Sequence, residues 1–169
     1  MEQARNFVWG IQPTIVNYHA FARKARPVEM KYIAELVAKR KQYKDYMQYG
    51  KMMRAPKLAN NYATEIEIAQ MSTYSYKNEG TNLFPHKKVV PLLYSSAWRN
   101  KEGNILLAFT NISEEAKDMA FTINPTEMGL DENFTLYIDG GVAQNGVPQS
   151  KYEVVIKGCS TKIFEFKKE

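Results

Sequence analysis

Tyr94–Asn111, YSSAWRNKEGNILLAFTN, contains two runs suited to β-strands around a polar turn, Arg99-Asn100-Lys101-Glu102-Gly103-Asn104. Gly103 can adopt a positive φ without a steric penalty, and the Asn100 side chain can close an Asx-type turn, so the stretch reads as a β-hairpin. In its second run Ile105, Leu107 and Phe109 share one face, and Leu106 and Ala108 share the other. A strand that is apolar on both faces is buried on both. It therefore belongs in the interior of a sheet, with material packed on each side.

Working outward, the C-terminal part of the chain predicts strands at Glu65–Ala69, Ser72–Tyr76, Val89–Trp98, Asn104–Thr110, Met119–Ile123, Phe134–Ile138, Tyr152–Ile156 and Lys162–Phe166. Met119, Phe121 and Ile123 alternate with Ala120 and Thr122, as strands with one buried face do. Asn78-Glu79-Gly80, Asn124-Pro125, Asp139-Gly140-Gly141, Asn145-Gly146 and Lys157-Gly158 supply turns. Seven or eight short strands spaced in this way predict an antiparallel β-sandwich.

Toward the N-terminus the period changes. Residues 28–54 predict a long amphipathic helix, with Pro27 at its start and Glu29 in the first turn, where the helix dipole favours an acid. Ile33, Leu36, Val37, Tyr43 and Met47 fall on one stripe, with Lys31, Glu35, Lys39, Gln42 and Asp45 opposite. Gly50 and Pro56 limit its extent. Tyr32, Tyr43, Tyr46 and Tyr49 are expected in the core with solvated hydroxyls. Residues 5–22 are too apolar for a solvated tail, and Phe7-Val8-Trp9 reads as a short strand. The expected architecture is mainly β with an N-terminal helix: a helical segment over residues 1–57, then a sandwich over 58–169.

The chain has 169 residues, of which 44% are hydrophobic, so a sizeable core is within reach. Its net charge of +5 is uneven. Residues 1–57 carry twelve Lys/Arg against four Asp/Glu, and residues 58–169 eleven against fourteen. A solvated basic helix accounts for the first imbalance, so no nucleic-acid partner is expected. Nor is a membrane partner expected, because no run of about 18 apolar residues occurs. The opening MEQARNF contains no apolar core of signal-peptide length.

No catalytic constellation stands out. His19, His86 and the single cysteine, Cys159, do not make a zinc pattern, and no phosphate-binding glycine loop or nucleophile elbow occurs. No metal or cofactor is expected. Glu65, Glu67, Glu102, Glu114 and Glu115 lie at strand edges or turns, where solvation explains them. Asn111-Ile-Ser and Asn133-Phe-Thr match a glycosylation triplet that is common by chance. Two aromatic candidates remain, Trp98 beside the hairpin turn and Trp9 in WGIQP.

The order of these segments resembles the C-terminal part of bacterial (β/α)8-barrel glycoside hydrolases, whose last barrel strand and helix lead into a C-terminal β-sandwich. FVWGIQPTI resembles a last barrel strand with its loop, and YIAELVAKRKQYKDYMQYGKMMRAP the helix that follows. YSSAWRNKEGNILLAFTNIS and STKIFEF resemble strands of the sandwich. The resemblance implies that the catalytic acid and nucleophile sit on earlier barrel strands, so this chain would be a non-catalytic, C-terminal portion of such an enzyme. Carbohydrate and the remaining barrel are then the expected partners. Trp9 and Gln12 would reach a sugar, the ring by stacking and the amide through hydroxyl groups. A carbohydrate-binding module using Trp98 or the tyrosines, and an interaction domain without ligand, are the alternatives. Residues 5–22 and the helix would expose several hundred Å2 of apolar surface at roughly 25 cal/mol per Å2, which favours a two-fold dimer.

Overall fold

The computed structural model describes residues 2–12, 24–70, 84–130 and 133–168. The expected strand Ser72–Tyr76 and most of the apolar segment ending at Phe21 lie outside them. Among the described residues the helices α1 (Glu2–Val8), α2 (Pro27–Gln42) and α3 (Lys44–Met47) precede the strands. These are β1 (Lys51–Met53), β2 (Lys57–Leu58), β3 (Ala63–Gln70), β4 (Phe84–Pro91), β5 (Leu93–Arg99), β6 (Ile105–Asn111), β7 (Lys117–Thr122), β8 (Phe134–Ile138), β9 (Gly141–Gly146), β10 (Lys151–Ile156) and β11 (Ser160–Lys168).

All the strand pairings among the described residues are antiparallel. A six-stranded sheet runs β1-β5-β6-β11-β8-β9, a three-stranded sheet runs β10-β7-β2, and β3 pairs with β4 in a separate ribbon. The first two sheets pack face to face as a sandwich, and the helices cover the outer face of the larger one. Every residue of β6 is buried. Ile105, Leu107 and Phe109 enter the core between the sheets, while Leu106 and Ala108 enter the core beneath the helices. β11 alternates in the same way, with Phe164 and Phe166 inward and Ile163 toward the helices. Between the sheets, Phe121 stacks on Tyr152 at 5.2 Å and meets Phe164 edge-on at 5.0 Å. Such aromatic pairs add about 0.5–1.5 kcal/mol beyond their burial.

The hairpin forms as its turn residues require. Gly103 has φ 88°, and the Asn100 side chain accepts from the N–H groups of Glu102 and Asn104 at 3.1 and 2.9 Å. At the far end of β6, Asn111 is fully buried. Its amide donates toward the carbonyls of Glu115, Ile156 and Lys157 at 2.8, 3.2 and 3.1 Å, and its oxygen accepts from the N–H and hydroxyl of Ser113 at 2.9 and 2.8 Å.

Several expectations are corrected. Phe7-Val8 is the end of α1, with Trp9 in the turn that follows, and not a strand. The helix expected over 28–54 is broken at Tyr43 into α2 and α3, helical structure ends at Met47, and Lys51–Met53 is a strand. The chain reverses at Gly50, which lies so close to the carbonyls of Tyr46 and Arg99 that a Cβ would collide with them. The buried stripe is also rotated: Tyr32, Leu36, Tyr43, Tyr46 and Met47 face the sheet, whereas Val37 is 47% exposed. Glu35 and Lys39, placed on the solvent side by the apolar pattern, turn to β11 and its neighbour. Glu35 accepts from the N–H of Thr161 at 3.0 Å, and Lys39 bonds Asp139 at 3.0 Å. Val89–Trp98 is two strands, because the chain leaves the β3–β4 ribbon after Pro91, where proline offers no N–H, and joins the large sheet at Leu93. Gly141–Gly146, whose ends Gly141 and Asn145-Gly146 are expected in turns, is an edge strand entered through a tight Asp139-Gly140 turn with both residues at positive φ.

Two outcomes follow. Leu106→Ala and Leu107→Ala open opposite faces of one strand, and each should cost about 2–5 kcal/mol in urea unfolding. Val155→Thr, on an exposed position of β10, should stay within about 0.5 kcal/mol. The second outcome concerns Asp139. Burial alone would raise its carboxyl, but hydrogen bonds from Lys39 and Lys162 outweigh burial and hold it below its ordinary 3.8. A carboxyl depressed by folding adds stability above its unfolded pKa and loses it as acid protonates the folded group. Thermal unfolding across pH should therefore show stability falling below about pH 4, and Asp139→Asn should flatten that part of the profile.

Candidate functional site

At one end of the sandwich, β1 and the segment up to β2 face the turn that follows β7. Between them lies a groove of about 550 Å3, lined by Lys51 through Lys57, Arg99, Thr122 through Asn124, Glu127 and Met128. That volume is within the range of small-ligand sites. Register builds its cationic wall. Lys51 pairs with Arg99 and Met53 with Ala97, so alternation puts all four on the sheet face that carries the core residues Ala97 and Ile105. β1 is the edge strand and β5 ends at Arg99, so the two charged residues stand side by side at the mouth of the sandwich.

The opposite wall is held in place. The carbonyl of Pro125 accepts from the N–H of Leu130 at 2.7 Å, and the carbonyl of Asn124 accepts from that of Met128 at 3.1 Å. Arg99 Nη2 donates to the Met128 carbonyl at 2.8 Å, which ties this turn to the end of β5. Among the described residues Lys51, Arg54, Lys57 and Arg99 face only one acid in the lining, Glu127. None of Lys51, Arg54 and Lys57 is ion-paired among the described residues. Like charges directly across a strand pair are unfavourable. The groove therefore keeps a positive potential that the described part of the chain does not neutralise.

A smaller hollow, of about 320 Å3, contains Tyr46, Glu102, Asn104, Glu165 and Lys167. Glu165, 8% exposed, accepts from the Tyr46 hydroxyl at 2.8 Å. Burial, reinforced by this carboxylate, pushes the Tyr46 phenol far above its ordinary value. Burial, with the charges of Glu165 and Asp139, pushes Tyr43 up to about 12. These phenols stay protonated at neutral pH, and the Tyr46–Glu165 bond fastens α3 to β11. Its role is to hold the helical layer.

The sequence candidates do not converge on the groove. Trp98, expected at the surface, is 6% exposed, with Nε1 donating to Ser96 at 3.0 Å and Gly10 packed on its ring. Trp9 is 48% exposed, with the Arg5 guanidinium 5.1 Å from the ring centre, and Gln12 is exposed. Tyr32, Tyr43 and Tyr46 are buried, as expected, but the hydroxyls of Tyr32 and Tyr46 are buried too rather than solvated, and Tyr49 is exposed. The groove residues carried only one sequence signal, the positive excess of residues 1–57, to which Lys51, Arg54 and Lys57 belong. Arg99 and Glu127 come from distant segments and join it through strand pairing and the 124–130 turn. Among the described residues no cluster of three His, Cys, Asp or Glu side chains is placed to hold a metal, and no helix is long and apolar enough to cross a membrane.

No family model matches the chain, and no curated protein matches it. Solved structures overlap it in part. A Bacillus halodurans C-125 protein, provisionally assigned as an α-N-acetylgalactosaminidase, is 17% identical at a TM-score of 0.38, over 46% of this chain and 18% of that one. A GH27 β-L-arabinopyranosidase from Geobacillus stearothermophilus is 14% identical at 0.36, over 46% and 17%. A GH30 endoxylanase from Clostridium papyrosolvens C71 is 14% identical at 0.33, over 50% and 23%. These neighbours are glycoside hydrolases, and the chain spans about a fifth of their length. Overlaps of this extent fix neither a family nor an activity.

Arg99→Leu removes the donor from the Met128 carbonyl. It should cost about 1–3 kcal/mol and speed amide exchange through residues 124–130 by more than it speeds exchange in β11.

Proposed function

We propose that the chain is a non-catalytic accessory portion of a glycoside-hydrolase-type protein, in which the sandwich braces a helical layer and engages carbohydrate. The supporting observation is how the two parts join. Helices from residues 2–47 lie on the large sheet through Phe7, Leu36, Tyr43 and Met47. Polar ties between Glu35 and Thr161, Lys39 and Asp139, and Tyr46 and Glu165 fix their position. That junction agrees with a terminal helix leading into a C-terminal sandwich. In this reading residues 1–57 belong with the end of the barrel, save that Lys51–Met53 and Lys57 already pair within the sandwich, residues 58–169 form the rest of the bracing sandwich, and the catalytic carboxylates lie on other strands. The barrel-strand part of the resemblance is not kept, because Phe7–Trp9 does not form one. Trp9 and Gln12 remain the proposed contacts to sugar.

A carbohydrate-binding module is the second reading, favoured by the groove. Association of two copies through the start of the chain is proposed on a smaller surface than the sequence implied, since Phe7 and Val8 are buried within one chain while Trp9 and Ile11 are half-exposed. Clean full-length protein should release no chromophore from a panel of aryl glycosides, and should bind neutral xylo- or galacto-oligosaccharides with loss of binding in Trp9→Ala. Turnover abolished by replacing a single Asp or Glu would overturn the accessory reading. A silent titration with every sugar would remove carbohydrate from it.

A further inference from the structure

We infer that the groove between β1–β2 and the 122–128 segment binds an acidic oligosaccharide, with its carboxylate groups held between Lys51, Arg99 and the neighbouring Arg54 and Lys57. This rests on the carbohydrate reading above and adds the class of sugar and a site apart from Trp9 and Gln12. Register sets Lys51 and Arg99 directly opposite each other on the core face of the sheet. Two cations in that position repel unless an anion lies between them. The 2.8 Å bond to the Met128 carbonyl fixes the Arg99 guanidinium before any ligand arrives. A prearranged guanidinium loses less freedom on binding and presents its remaining donors in a fork that matches a carboxylate.

The rest of the lining separates the candidate anions. Thr122 and Asn124 offer a hydroxyl and an amide for sugar hydroxyl groups, and Met53, Ala55 and Pro56 give an aliphatic surface. No aromatic ring lines the groove among the described residues. Single-stranded nucleic acid is held by base stacking on aromatic platforms as well as by charge, and neutral sugars rely heavily on ring stacking. A short cationic groove without a ring, supplied with neutral donors, suits a sugar chain that carries its own charge.

The test is calorimetry on the full chain with oligogalacturonate, with neutral xylo-oligosaccharides, with a single-stranded oligonucleotide and with inorganic phosphate. The double variant Arg54→Glu/Lys57→Glu changes only exposed side chains, and Arg99→Gln serves as a second, interior variant. Oligogalacturonate should bind, and should bind less tightly as salt is raised. The double variant should weaken it by about tenfold or more, with circular dichroism and the unfolding midpoint unchanged. Arg99→Gln should weaken it further, while neutral sugars lose nothing in either variant. Oligogalacturonate affinity that is absent, or unaltered in the double variant, would overturn the inference. Neutral sugars that still bound would leave the carbohydrate reading standing, whereas silence from both classes would end both. Tighter binding of the oligonucleotide or of phosphate would also overturn it, assigning the groove to phosphate.

Discussion

The double burial of β6 constrains the rest of the molecule. A strand with Leu106 and Ala108 on one side and Ile105, Leu107 and Phe109 on the other must be covered on both faces. The three-stranded sheet covers one side and the helices the other. β11, hydrogen-bonded along most of β6, inherits the same requirement and meets it with Phe164 and Phe166 on one face and Ile163 on the other. The helices are therefore a structural layer of the sandwich, and the polar bonds from Glu35, Lys39 and Tyr46 set their angle and register over an already apolar contact.

That constraint also explains where ligand-facing surface remains. Over β5, β6 and β11 both faces of the large sheet are covered, so open space occurs toward the ends and edges of the layers. At the β1 edge the loops leaving each sheet diverge and leave the cationic groove. Its shape depends on the short strand Lys51–Met53, which stands where the chain turns sharply at Gly50 and passes from the helical layer into the sheet.

Much of this was legible in the residues. The two-sided apolar run at 105–109, the Asn100 and Gly103 turn and the alternation around Phe121 and Tyr152 each follow from side-chain period and turn chemistry. What escaped had identifiable causes. Gly141–Gly146 is an exposed edge strand, so no buried face stamps alternation on it. Ile33 and Val37 suggested the wrong stripe because the helix buries tyrosines and directs Glu35 and Lys39 at partners about a hundred residues away or more. Residues 51–58 are too short in each strand to show a period, and the groove they line needs Arg99 and Glu127, which only tertiary structure brings close.

The buried Asn111 bears on where this chain can be made. It lies in an Asn-Ile-Ser triplet, and its amide hydrogens point at three carbonyls inside the fold. A sugar attached to that nitrogen would replace one of those hydrogens with a bulky polar group. A secretory pathway that glycosylates nascent chains would act before β6 is enclosed, and the strand could not then close around the modified side chain. Asn133, in its own triplet, is exposed and would carry such a sugar outward. Replacing Ser113 would erase the first triplet, but would also take away a hydroxyl that bonds Asn111. Synthesis in a host that does not modify asparagine leaves the end of β6 intact.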